Sequence, residues 1–208
     1  MGRYIGPACK KCRRAAMKLF LKGDRCNMAK CPIDQGHGAP GPHLRRRGKA
    51  SDYSLQLTEK QRLRNTYGMR EGQFRLFFQR ALRSRGVTGE VLLQSLELRL
   101  DNVVYRMGLA PSRRAARQFV HHGHVRVDGQ KVDIPSYKLK PGQVVSVRDN
   151  AASREYVKPN LDSAENRGFP TWLAVDKGAM KAEVLHVPTR EEIAPVVNEQ
   201  LIVELYSK

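Results

Sequence analysis

Apolar residues fall at helical spacing along the first half of the chain and at a spacing of two along much of the second. Leu96, Leu100, Val103, Val104 and Met107 form the one-faced stripe of an amphipathic helix, and Gly108 is placed to end it in the left-handed conformation. Thr88 can cap this helix, so the pattern predicts one long helix over residues 88–107. Ser112, after Pro111, caps a second helix with Ala115, Ala116, Phe119 and Val120 as its short apolar face, and Gly123 ends it. Upstream, Ser51-Asp52-Tyr53 can cap a helix that ends by Gly68. Residues 71–85 then carry Phe74, Phe77, Phe78, Ala81 and Leu82 on one face before Gly86. Aromatics at this spacing read as core, because rings that stack on RNA bases are usually presented on sheets or loops.

After Gly123 the period changes. Val125-Arg126-Val127 and Gln130-Lys131-Val132 flank Asp128-Gly129, a pair that tolerates positive φ and so predicts a tight hairpin. Lys140-Pro141-Gly142-Gln143 fits a type II turn and residues 144–147 a strand. Residues 151–167 read as a weak helix interrupted at Pro159, and 172–175 and 183–187 as two further strands. Thr189 and Glu192 form a capping box for one short turn that Pro195 cuts off, and the closing NEQLIVELYSK fits either a strand or a helix. The fold class is therefore α+β.

Charge narrows the function. Among 208 residues, 38 Lys+Arg stand against 20 Asp+Glu, a formal net charge of +18, which points to a polyanionic partner. Residues 1–50 carry a net +11, residues 51–150 a net +9 and residues 151–208 a net −2, so nucleic acid should meet the first three quarters and leave the tail for packing or protein contact. No apolar run is long enough to span a membrane, and amphipathic or lipid-anchor signals are absent. The opening MGRYIGPACKKCRR lacks the apolar core of a secretory signal, which predicts a reducing, cytoplasmic location.

All four cysteines lie within the first 31 residues, as Cys9-x2-Cys12 and Cys26-x4-Cys31, two close pairs separated by a span that can fold back. Four thiolates so spaced can meet around one tetrahedral ion, which predicts a zinc knuckle with Cys9, Cys12, Cys26 and Cys31 as ligands. An iron–sulfur cluster is the alternative that the same thiolates could hold, while disulfides do not suit a reducing compartment. His37 and His43 are left as loop or RNA-facing residues, since four cysteines already complete the shell. A ring of Lys10, Lys11, Arg13, Arg14, Lys18, Lys22, Arg25 and Lys30 reads as a phosphate-binding coat on this arm.

Residues 35–49 are rich in Gly and Pro and read as a linker ending in Arg45, Arg46, Arg47 and Lys49. The helical region adds Arg62, Arg64, Arg70, Arg75, Arg80, Arg83 and Arg85 on its polar side. Arg113 and Arg114 are the most informative cations. They sit in the first turn of a helix, where the backbone already presents partial positive charge, so an anion is expected there. Arg117 and His121 continue their row at helical spacing, and His122, His124 and Arg126 lie just beyond.

The stretches RLDNVVYR (99–106), SRRAAR (112–117), HGHV (122–125), VDG (127–129) and PSY (135–137), with RYIGP at 3–7, resemble the S-four family of small-subunit ribosomal proteins. The resemblance extends over nearly the whole chain. It implies a metal-stapled arm with linker over 1–44 and a helical domain over 45–90, onto which 196–208 return as a helix. An RNA-binding module of helices and antiparallel sheet follows over 91–195. It also implies a structural constituent of the small ribosomal subunit, a primary binder of its ribosomal RNA that nucleates assembly of the subunit body. Such a protein lies beside the channel by which messenger RNA enters, touches neighbouring ribosomal proteins and bears on decoding accuracy. One departure stands at Ala39-Pro40-Gly41-Pro42-His43-Leu44, where relatives usually show Pro-Pro-Gly-Gln-His-Gly. No GxxxxGK loop, exposed nucleophile with a base or paired carboxylates suggest catalysis or a small-molecule substrate. An RNA-modifying enzyme carrying the module as an appendage would need a catalytic domain, and only about sixty residues follow it. A zinc-dependent DNA-binding regulator would need dimer symmetry or a base-reading helix.

Overall fold

The computed structural model describes residues 4–41, 49, 51–165, 168–193 and 197–207. Arg45, Arg46, Arg47 and His43 lie outside the described residues. The chain forms two units, one of residues 1–92 with 195–208 and the other of residues 93–194. The arm and the helical region thus share a unit.

In the first unit, α1 (Ala8–Ala15) carries two of the cysteines, and a 3-10 turn (Gly23–Cys26) ends on the third. Helix α2 (Asp52–Thr66) starts where the Ser51 hydroxyl accepts the Ser54 N–H at 3.3 Å, and α3 (Glu71–Arg83) follows. The closing segment is helix α8 (Glu199–Tyr206), whose Tyr206 ring stacks on Phe78 at 4.5 Å and on Phe74 at 6.3 Å. Tyr206 donates its hydroxyl to Glu71 at 2.9 Å, and Lys60 and Arg64 reach the same carboxylate. Phe74, Phe77, Phe78 and Ala81 are buried, as their spacing predicts. Leu82 departs from that prediction: it is 59% exposed, together with Leu76, because α3 buries only the stripe facing α8.

Helix α4 (Thr88–Glu97) contains the boundary between the units. The single long helix expected over 88–107 is two helices, since α5 (Leu100–Arg106) begins only after a turn at Leu98 and an extended Arg99. Around this break the backbone bonds to the segment 135–139 in place of the helix. Leu139 donates to Leu98 at 2.9 Å, Leu100 to Tyr137 at 2.9 Å and Asp101 to Pro135 at 3.1 Å. The apolar stripe cannot register such a break, because Leu98 and Leu100 remain buried on either side of it.

Helix α6 (Arg113–His121) is capped by the Ser112 hydroxyl, which accepts the Ala115 N–H at 3.3 Å. Strands β1 (Val125–Val127) and β2 (Gln130–Lys131) form the expected hairpin, with φ of 50° at Asp128 and 80° at Gly129. With β3 (Val144–Val147), β4 (Leu173–Asp176) and β5 (Lys181–Val184) they make one antiparallel sheet in the order β2-β1-β3-β5-β4. Its buried face, with Val125, Val127, Val145, Ala182 and Val184, closes on Val103, Met107, Phe119, Val120 and Trp172.

Helix α7 (Ala151–Glu165) runs through Pro159 without the interruption expected there. Burial of Val157, Leu161 and Ala164 along one stripe outweighs the lost backbone donor, and the Asn160 side chain bonds to the Tyr156 carbonyl at 2.7 Å. Gly108, at φ 84°, must lack a side chain: a Cβ there would stand 2.5 Å from the Cβ of Ala164 on this helix. At Thr189–Glu192 the structure has the one short turn expected there. Thr189 donates its N–H to Glu192 at 2.8 Å.

Candidate nucleic-acid interface

The start of α6 is fastened to α5 and the end of α4 by a buried polar network. Glu97, 1% exposed, accepts from Arg106 at 2.7 and 3.0 Å and from the Asn102 amide at 2.6 Å. Asn102 uses its carbonyl oxygen to accept from Arg113 Nε at 2.7 Å, and the Arg113 guanidinium lies 4.6 Å over the Tyr105 ring. Asp101 binds Arg99 and, at 3.1 Å, Arg117. Arg113, one of the two arginines that seemed to demand an external anion, and Arg117 one turn on therefore have internal partners, which corrects the argument from the helix start alone. Proximity across the α5–α6 corner is invisible to a count of helix positions.

The network still carries excess positive charge. Glu97 and Asp101 supply two negative charges against four positive ones on Arg99, Arg106, Arg113 and Arg117, with Arg114 beside them in the first turn of α6. Arg113, Arg114 and Arg117 remain half-buried, and two of them are held in fixed directions, Arg113 by the Asn102 carbonyl oxygen and Arg117 by the buried Asp101. Such pre-orientation suits guanidinium forks to phosphate oxygens. Arg99 is the residue that sequence reasoning missed. It is wholly buried, and an arginine beside an apolar stripe gives no sign of pointing inward.

The other end of α6 gathers histidines. His121 and His122 are exposed, and His124 lies half-buried with Nδ1 2.9 Å from the Ser153 hydroxyl. Burial, then the neighbouring His122 and Arg148, push His124 below its usual pKa. Arg126 projects from the solvent face of β1.

In the first unit several predicted cations are engaged inside the protein. Arg62 pairs with Glu59 and reaches the Ala15 carbonyl at 2.9 Å, Arg64 pairs with Glu71, Lys18 with Asp34, and Arg13 holds the Gly38 carbonyl at 2.7 Å. Lys11 lies 3.9 Å from the centre of the Tyr4 ring. Lys10, Arg14, Lys22, Arg25, Lys49, Arg70 and Arg83 are exposed.

The four cysteines line one small cavity of about 20 Å³ with Lys22, Arg25, Pro32 and Ile33. All are free thiols, and Cys26 accepts the Lys22 N–H at 3.4 Å. Burial, chiefly, and the neighbouring sulfurs raise the thiol pKa of Cys12 and Cys26, against backbone N–H groups that favour the thiolate. Among the described residues no three His, Cys, Asp or Glu side chains form a group that could hold a metal as placed.

The fold and these sites define a basic α+β protein whose second unit packs helices on an antiparallel sheet and gathers arginines at the start of α6. Residues 3–97 match the ribosomal protein S4/S9 N-terminal domain and residues 98–145 the S4 domain. Small ribosomal subunit protein uS4 of Acidithiobacillus ferrooxidans is 52% identical over 208 residues, covering both chains in full. The uS4 proteins of Thermodesulfovibrio yellowstonii, at 51%, and Thermus thermophilus, at 48%, match over the same complete extent. The chain belongs to the small ribosomal subunit protein uS4 family.

Proposed function

We propose that the protein is a structural constituent of the small ribosomal subunit and binds its ribosomal RNA directly, without catalysing a reaction. The observation that carries this reading is the end-to-end relationship to uS4 proteins. The pre-oriented arginines at the start of α6 supply a physical means. We place the protein in the cytoplasm, as an early binder that nucleates the subunit body, near the channel by which messenger RNA enters and beside other ribosomal proteins, where it bears on decoding accuracy. The test is competition: binding to intact small-subunit ribosomal RNA should persist under excess duplex DNA, and the protein should co-sediment with small subunits. Equal competition by duplex DNA would replace this reading with a general nucleic-acid binder.

We also propose that Cys9, Cys12, Cys26 and Cys31 hold one zinc ion. The donor set is four thiols around a cavity sized for a single sphere, which favours one ion over a multi-iron cluster. The ion would act structurally, closing a small arm whose own apolar cluster is Ala15 and Leu19 beside Cys12.

A further inference from the structure

Along α6 from Ala115 to Phe119, a cavity of about 410 Å³ opens between this helix, the residues 122–124 that lead into β1, and the start of α7. We propose that this cavity, lined by Gln118, Phe119, His122, His124, Ser153 and Tyr156, receives an unpaired base of the bound RNA, an inference that rests on the RNA-binding reading above.

Its construction points to a planar guest. The rings of Phe119 and His124 lie 4.9 Å apart and those of Phe119 and Tyr156 5.4 Å apart, each pair inclined by 21°, so three aromatic planes run nearly parallel along one wall. Phe119 is 6% exposed and anchors the stack, whereas Tyr156 is 44% exposed and offers ring surface to a ligand. Ring stacking is tolerant of base identity, because every base has a π face. The lining also carries polar side chains: Gln118, the exposed His122 and His124, whose Nδ1 is engaged with Ser153 and leaves its second ring nitrogen. These suit the edge of a base.

Charge selects a nucleotide over an apolar side chain of a protein. The lining residues have mostly basic neighbours: His121 ends α6 beside His122, Arg148 acts on His124 together with His122, and Arg154 and Lys158 flank the lining residues of α7, with Glu155 between them and Asp149 paired to Arg154 at 3.1 Å. Arg148 is fixed to the site, since its N–H donates to the His124 carbonyl at 2.8 Å. A base held here brings its phosphates to a positive rim.

The test uses the full-length protein and intact small-subunit ribosomal RNA, with affinity followed across a salt series. Tyr156→Ala should weaken binding about 5- to 150-fold, while the slope of log K against log salt stays unchanged, since a lost stack removes no phosphate contact. Tyr156→Phe keeps the ring and should bind like the unaltered protein. His122→Ala, at another exposed position, should also weaken binding. Ultraviolet irradiation should join an RNA base to the peptide containing Tyr156. Unaltered affinity in Tyr156→Ala, or a shallower salt slope accompanying its loss, would overturn the base pocket alone. Failure of the unaltered protein to bind the RNA would overturn both this pocket and the reading beneath it.

Discussion

Arg99 donates from Nε and Nη2 to the two carboxylate oxygens of Asp101, at 3.0 and 2.7 Å, and solvent reaches almost none of either side chain. A bidentate pair this deep is costly to break from one side, because the remaining charge stays buried. Asp101→Ala should therefore cost about 3 to 5 kcal/mol in denaturant unfolding. Arg99→Met combined with Asp101→Leu should cost markedly less, and a double variant no more stable than Asp101→Ala would argue against an uncompensated charge as the cause.

The same carboxylate sets the behaviour of Arg117, which separates two kinds of arginine on the proposed interface. Arg126 points outward from β1 and is exposed. Arg126→Gln should make the salt slope of RNA binding shallower by about 1 and leave stability within about 0.5 kcal/mol. Arg117→Gln should lower RNA affinity and stability together. Salt-dependent binding and thermal melting of both variants check this, and a fully stable Arg117→Gln protein would show that Asp101 does not need it.

In α3, the contrast is between Phe78 and Leu82. Phe78 is 3% exposed and stacks on Tyr206, so Phe78→Ala should cost about 3 to 5 kcal/mol. Leu82→Ala should stay within about 0.5 kcal/mol, since its side chain is mostly in solvent. Equal losses at the two positions in equilibrium unfolding would mean that Leu82 is covered in solution.

These contrasts show what the sequence could and could not disclose. The Asp128-Gly129 hairpin and the Ser112 cap were legible because both are decided within four residues, by positive φ and by one hydroxyl. The break at Leu98-Arg99 was not, because its cause is the segment 135–139, which supplies the hydrogen bonds that a helix would have made. Continuity through Pro159 and the exposure of Leu82 likewise depend on which stripe finds a neighbour. The arginines of α6 were recognisable as unusual from the dipole argument. Their partners, Asn102 and Asp101, belong to the preceding helix, and only the fold brings them together.

Glu192 offers a pH test. Hydrogen bonds from the Thr171 hydroxyl and the Thr189 N–H, with His186 alongside, hold its carboxyl down to about 2. A folded-state pKa below the unfolded one stabilises the protein above about 4.5, and that contribution fades as pH falls from 4.5 toward 2. The melting-temperature difference between the native protein and Glu192→Gln should therefore shrink across this window. A difference that stays constant there would show that the carboxylate form is not what the turn holds.

The arm at residues 4–41 gives the last prediction. Its apolar cluster is small, Ala15 and Leu19 with Cys12 and partial cover from Met17, Leu21 and Ile33, too little to offset the entropy of ordering nearly forty residues. Buried thiols add a further cost if they ionise together without a cation, as the raised pKa of Cys12 and Cys26 shows. A single divalent ion reverses that sign, and its binding free energy becomes folding free energy. Protein purified without chelator should carry about one zinc per chain by elemental analysis. Chelation, or Cys9→Ser, should then erase the dispersed amide signals of residues 8–31 in NMR spectra. Signals of residues 93–194 should persist, because that unit has its own core around Val103, Phe119, Val145 and Trp172. An arm that remains folded with less than about one metal per chain would remove the need for the ion, and loss of both sets of signals together would show that the second unit depends on the first.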